Sequence, residues 1–279
     1  AAFAEVARVE AVMSEWRPSS EVSRLNAAGG APVTVSAELF ELLQRARDLG
    51  DRSGGAFDVT WAALRGVWDF DAGRVPAPDA VAAAQARIDY RRLTLDPAAR
   101  TATLPAGMAV GLGGIAKGYG IDRAAAVLRA RGFTAFLVDG GGDLYVAGEK
   151  APGQPWTVGV QHPRRRDELM VALPVRDAAV VTSGDYERYF EAGGRRYHHI
   201  IDPRTGMPAE RSVAVTVRAA DATFADALAT ALFVMGPEAG IALAEALPGV
   251  DAAVLAADGR VVATPGLRAA FPARWQEAR

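Results

Sequence analysis

The amino-acid sequence predicts an α+β fold in which helices pack with antiparallel sheets, and three observations carry that prediction. Helix-period and strand-period segments alternate without the regular beat of a parallel βαβ repeat. The run Asp139-Gly140-Gly141-Gly142-Asp143 joins two apolar stretches over a length that suits a hairpin, not a crossover. Asp258-Gly259 does the same between Val254 and Val262. Half of the 279 residues are apolar, which allows a sizeable core, and one domain is expected over residues 1–279, as a single body or as two lobes.

The elements follow in order. A first helix is expected over residues 2–15, where Ala2, Phe3, Val6, Val9 and Val12 fall at helical spacing. Pro18, two serines and Gly29-Gly30 then predict irregular chain. A second helix starts at the Ser36 cap, carries Leu39, Phe40, Leu42, Leu43 and Leu49, and stops by Ser53-Gly54-Gly55. Trp61, Leu64, Val67 and Trp68 predict a short buried helix or turn, and residues 72–80 a Pro-rich surface loop. IDYRRLTLD and RTATLPAGMAV read as strands around Asp96-Pro97. A glycine turn from Gly111 opens a helix near Ile115. Further strands are expected near 156–161, 169–174, 179–182, 196–201 and 212–218, and a helix over about 224–234.

Composition excludes several function classes. The formal charge of −2 and the single short run Arg164, Arg165, Arg166, read as a solvated loop, argue against nucleic acid. Even the most apolar helix candidate carries Asp221 and Asp226 near its start, so no uninterrupted run of the length of a membrane span occurs. With no cysteine there is no disulfide, thiolate metal site or cysteine nucleophile, and the compartment stays open on that ground. The chain opens within a helical pattern, without a charged n-region or a small-residue cleavage site before it, so the expectation is that any targeting segment has been cut away or never existed.

Four segments are richer in glycine, hydroxyl, acid and histidine than loops require: 56–58, 111–118, 182–185 and 198–206. In the second, glycines and a helix N-terminus suit an anionic phosphate, while the alternative is a tight turn with nothing bound. Gly111-Leu112-Gly113-Gly114-Ile115-Ala116 also fits the dinucleotide fingerprint, with Asp139 in the place of a ribose-binding acid. The short preceding strand and the glycine hairpin oppose that nicotinamide-dehydrogenase reading. Asp226 and Thr230 stand one turn apart on one helical face, fit either to hold an oxygen-seeking cation or to cap the helix start, and spacing alone favours the cap. His198 and His199 point to opposite faces of a strand that ends at Asp202-Pro203, so one can serve as a general base, unless both are structural.

Taken in order, seven blocks resemble the FAD:protein FMN transferase family, the ApbE-like proteins. They are MSEWRPSSEVSRLN (13–26), GGAFDVTWAALRGVW (54–68), GLGGIAKGYGID (111–122), VDGGGDLYVAG (138–148), TSGDYERYF (182–190), YHHIIDPRTGMP (197–208) and ADALATALFVMG (225–236). The resemblance implies a flavin cleft, with FAD contacts at Trp16, Ala56, Phe57, Asp58, Lys117 and Ile200. It implies Mg²⁺, or Mn²⁺, on the Gly114 carbonyl, Asp226 and Thr230, and His199 as the catalytic base. The implied reaction moves FMN from FAD to a Thr or Ser hydroxyl of an acceptor flavoprotein, such as a subunit of an ion-pumping redox complex, and releases AMP. Binding or hydrolysis of FAD without transfer is the neighbouring possibility. Such proteins work in the periplasm or anchored to the outer face of the cytoplasmic membrane, and the first strand and signal segment usual in them are not in this chain. Members often carry Asp where this sequence has Gly111, which implies one polar contact fewer to the nucleotide.

Overall fold

The computed structural model describes residues 1–165 and 167–272, so Arg166 of the arginine run lies outside the described residues. The chain divides into two compact units. One comprises Ala1–Val6, Lys117–Glu187 and the chain from Ala209 onward; the other comprises Ala7–Ala116 and Arg188–Pro208.

The first unit is built on a six-stranded sheet. Its strands run in the order Val261–Ala263, Asp251–Ala256, Ser212–Ala219, Ala178–Gly184, Leu144–Ala147 and Phe136–Asp139, every neighbouring pair antiparallel. The α+β expectation holds, and the nicotinamide reading does not. That reading needs parallel strands, and Asp139 instead accepts the Gly142 amide at 2.8 Å inside its own hairpin. One face of the sheet, through Val180, Ala214, Ala253 and Leu255, packs with Val158, Val160, Met170 and Leu173 of the hairpin Trp156–Gln161 and Leu169–Val175. Strand alternation turns Val181, Val215 and Val217 to the opposite face, and helix Ala222–Met235 contacts the same two strands. Helix Pro237–Glu245 follows directly, because Gly236 at φ 83° ends one helix and Pro237 opens the next.

The second unit holds helices Glu21–Ala27, Ala37–Arg52 and Pro78–Gln85, and a sheet ordered Val33–Thr34, Thr101–Thr103, Thr94–Asp96. The predicted cap is present: Ser36 accepts the Leu39 amide at 3.2 Å. Leu64, Trp68, Val81, Ala84 and Ile201 form a core beside Phe190 and Tyr197, whose rings stack at 5.2 Å.

Several elements differ from the sequence reading. Helix Glu21–Ala27 lies in chain expected to be irregular, fixed by the Ser20 cap on the Ser23 amide and by buried Val22 and Leu25. Two turns are too short to display a period. Helix Pro78–Gln85 begins inside the expected 72–80 loop, with Pro78 in the first turn, where a missing amide costs nothing, and Val81 and Ala84 buried. The expected 196–201 strand is two pieces, Arg195–His198 and Ile201–Asp202, and Tyr189–Ala192, which was not expected, pairs with the first.

Candidate functional site

In the first unit the helix Ala222–Met235 is almost wholly buried, and Asp221 caps it by accepting the Phe224 amide at 2.8 Å. The cap reading of Asp226 is therefore corrected. Asp226 sits a full turn inside the helix, 4% exposed, where an ionised carboxylate has no water to stabilise it. One of its oxygens accepts the Gly118 amide at 2.9 Å. That amide belongs to the first turn of helix Ala116–Ala130, whose N–H groups lack partners within the helix. The two helices touch at glycine: a Cβ on Gly118 would lie 2.1 Å from the Ala222 carbonyl oxygen. Asp122, four residues on, accepts the Ala222 and Thr223 amides at 2.8 Å each.

Charge is concentrated around Asp226. Lys117 makes a 2.6 Å ion pair with Asp143, which is 2% exposed in the glycine hairpin. Burial pushes the Lys117 ammonium down, but Asp143 and then Asp226 outweigh it, so its pKa is raised overall. Burial, and after it the neighbouring Asp143, lifts Asp226 to about 7, against the lowering pull of the Gly118 amide and Lys117. Thr230 follows one turn later, partly exposed. Among the described residues no three His, Asp or Glu side chains stand together to hold a cation, so a cation at Asp226 has to draw on hydroxyl and backbone oxygens.

The remaining predicted residues lie in the second unit. Trp16 follows the first helix with its indole 69% exposed, and the Arg65 guanidinium covers one ring face at 4.8 Å. Ala56 and Phe57 are buried, and the Asp58 carboxylate is spent internally, on the Thr60 amide at 2.7 Å, the Thr60 hydroxyl at 2.6 Å and the Tyr90 amide at 2.9 Å. Burial raises the Asp58 pKa, with those bonds opposing. Gly114 lies in the turn closed by the Ala116 amide on the Leu112 carbonyl at 2.8 Å. Ile200 and His198 are buried while His199, one residue past the end of strand Arg195–His198, is exposed, so the two imidazoles differ in exposure. His199 is held by its amide on the Arg188 carbonyl at 3.0 Å, and the following turn is closed by the Gly206 amide on the Asp202 carbonyl at 2.8 Å.

The sequence profile described as the ApbE family matches residues 1–254. The chain belongs to the ApbE family. Among ApbE relatives, the FAD:protein FMN transferase of Treponema pallidum is 42% identical, over 95% of this chain and 78% of its own. That of Haemophilus influenzae is 33% identical, over 85% and 72%. Of solved structures, the ApbE protein of Thermotoga maritima superposes with a TM-score of 0.90 at 32% identity, covering 97% of this chain and 90% of its own. The flavinyl transferase ApbE of Pseudomonas stutzeri does so at 0.84 and 32%, covering 97% and 86%. The structure also brings in Asp143, Asp122, Glu15 and Arg65, which the sequence reading did not single out. The first two had a signal, an acid directly after a glycine run and an acid one turn after Gly118. Glu15 and Arg65 had none, since 50 residues separate them.

Proposed function

We propose that this chain binds FAD with a divalent cation and transfers the FMN half to a threonine or serine hydroxyl of an acceptor protein. The observation that carries the reading is Asp226, a buried carboxylate a full turn inside its own helix, with one oxygen on the Gly118 amide and the like-charged Asp143 nearby. Such a group is stable at neutral pH when a cation replaces the proton that burial favours. The FAD:protein FMN transferases among its relatives support the reaction class.

The family resemblance implies a cation on Asp226, Thr230 and the Gly114 carbonyl, and such oxygen donors suit Mg²⁺ and also Mn²⁺. When bound there, the cation supplies charge neutralisation on the pyrophosphate. The open face of Trp16 stacks the isoalloxazine, the 56–58 backbone and Ile200 complete the flavin contacts, and Lys117 offsets phosphate charge. His199 takes the proton of the acceptor hydroxyl as its oxygen bonds to the FMN phosphorus. The pyrophosphate phosphorus–oxygen bond breaks and AMP leaves. The acceptor fits a flavin-carrying subunit of an ion-pumping redox complex, placed with this enzyme outside the cytoplasm.

The test mixes purified protein, FAD, Mg²⁺ and an acceptor domain, and reads in-gel flavin fluorescence together with AMP release. A fluorescent acceptor band with one AMP per label is expected. Free FMN and AMP without a labelled acceptor would show hydrolysis instead of transfer.

A further inference from the structure

Within the second unit one carboxylate joins three features that lie far apart in sequence. Glu15 follows helix Ala2–Met13, which ends two residues earlier than the expected 2–15, and its side chain is 8% exposed. Its Oε2 accepts the Leu112 amide at 3.0 Å, and its Oε1 lies 2.5 Å from an Arg65 Nη2. The Arg65 guanidinium in turn covers one face of the Trp16 indole. Gly111 stands beside this carboxylate because it has no side chain. A Cβ there would lie 2.8 Å from Glu15 Oε2, 3.0 Å from the Ala62 Cβ and 3.1 Å from the Trp61 Nε1. Gly111 is not among the positive-φ glycines, so space and not backbone conformation selects it.

We propose that Glu15 is a positioning residue for FAD: it supplies from the end of the first helix the carboxylate that position 111 cannot carry, holding the glycine block through Leu112 and the Trp16 platform through Arg65. The proposal rests on the reading of Trp16 as the flavin platform. A carboxylate reaching the Leu112 amide from residue 15 and one carried at residue 111 are alternative occupants of one space. Two together would bring like charges to within a hydrogen bond's length in a poorly solvated place, where neither could be satisfied.

The test is a four-protein cycle of parent, Glu15→Ala, Gly111→Asp and the double variant, read by FAD titration and by melting temperature. Each single variant is expected to weaken FAD binding by roughly tenfold, the Ala by losing the anchor and the Asp by clash and repulsion. The double variant should return to within about threefold of the parent, since an aspartate placed in the vacated space needs Ala62 and Trp61 to yield only slightly. Losses that simply add in the double variant overturn the proposal. So does a Glu15→Ala protein that melts lower yet binds FAD with parental affinity, which would make Glu15 structural only. A parent that binds no FAD would overturn the functional reading itself; the melting-temperature cycle, which needs no flavin, would still show additivity or coupling between the two positions.

Discussion

The Gly118 amide donates to the Asp226 carboxylate at 2.9 Å across 108 residues of chain, and the two helices that carry them meet at a glycine with no room for a methyl group. Gly118→Ala would place its Cβ 2.1 Å from the Ala222 carbonyl. Overpacking of this kind costs about 1–3 kcal/mol or more. The variant should melt several degrees lower and lose Mg²⁺-dependent FAD binding; a parental melting curve would mean that the helices part without cost.

Asp226→Asn keeps the shape of the side chain but removes its charge. It should weaken FAD binding in Mg²⁺ by tenfold or more, by the general strength of a lost anionic ligand, about 1.4 kcal/mol per tenfold. Calorimetry that finds the same Mg²⁺-dependent affinity would remove Asp226 from the cation site.

The same residue sets a pH dependence. Its folded pKa is raised from 3.8 to about 7, so between those values the folded protein holds a proton that the unfolded chain has released. Without metal, this contribution to stability is present at low pH and is lost as pH rises through that window. A cation binds the ionised form and competes with the proton. The rise in melting temperature caused by Mg²⁺ should therefore be small at pH 5.5, grow through pH 7, and be absent in the Asn variant. A Mg²⁺ effect independent of pH would contradict the assignment.

Trp16 presents one indole face to Arg65 and leaves the other open. Trp16→Ala should remove a stacking surface worth about 1 kcal/mol, with several-fold weaker FAD binding and less quenching of flavin fluorescence. Equal quenching by variant and parent would exclude Trp16 from the flavin site.

His199 is exposed and His198 buried, so the two variants should separate. His199→Ala should bind FAD and Mg²⁺ almost as the parent does while losing about 10² to 10⁴ in single-turnover flavinylation, the usual weight of a general base. His198→Ala should lower the melting temperature and keep most of the transfer rate per folded molecule. Full-rate transfer by the His199 variant would sink the base assignment.

The sequence by itself determined the fold class, the family blocks and those elements whose signals are local. Ser36 caps its helix and the glycine run makes a hairpin, because each depends on a few adjacent residues. The role of Asp226 was not legible, since its spacing from Thr230 suits a cap as well as a cation ligand, and only the register of the buried helix, capped by Asp221, decided between them. Tertiary structure alone paired Lys117 with Asp143, turned the Asp58 carboxylate inward and set Glu15 over Gly111. The physical reason is common to all three. A buried carboxylate takes whichever donor the packing brings within about 3 Å, and residues far apart in the chain reach that distance only when the core has closed.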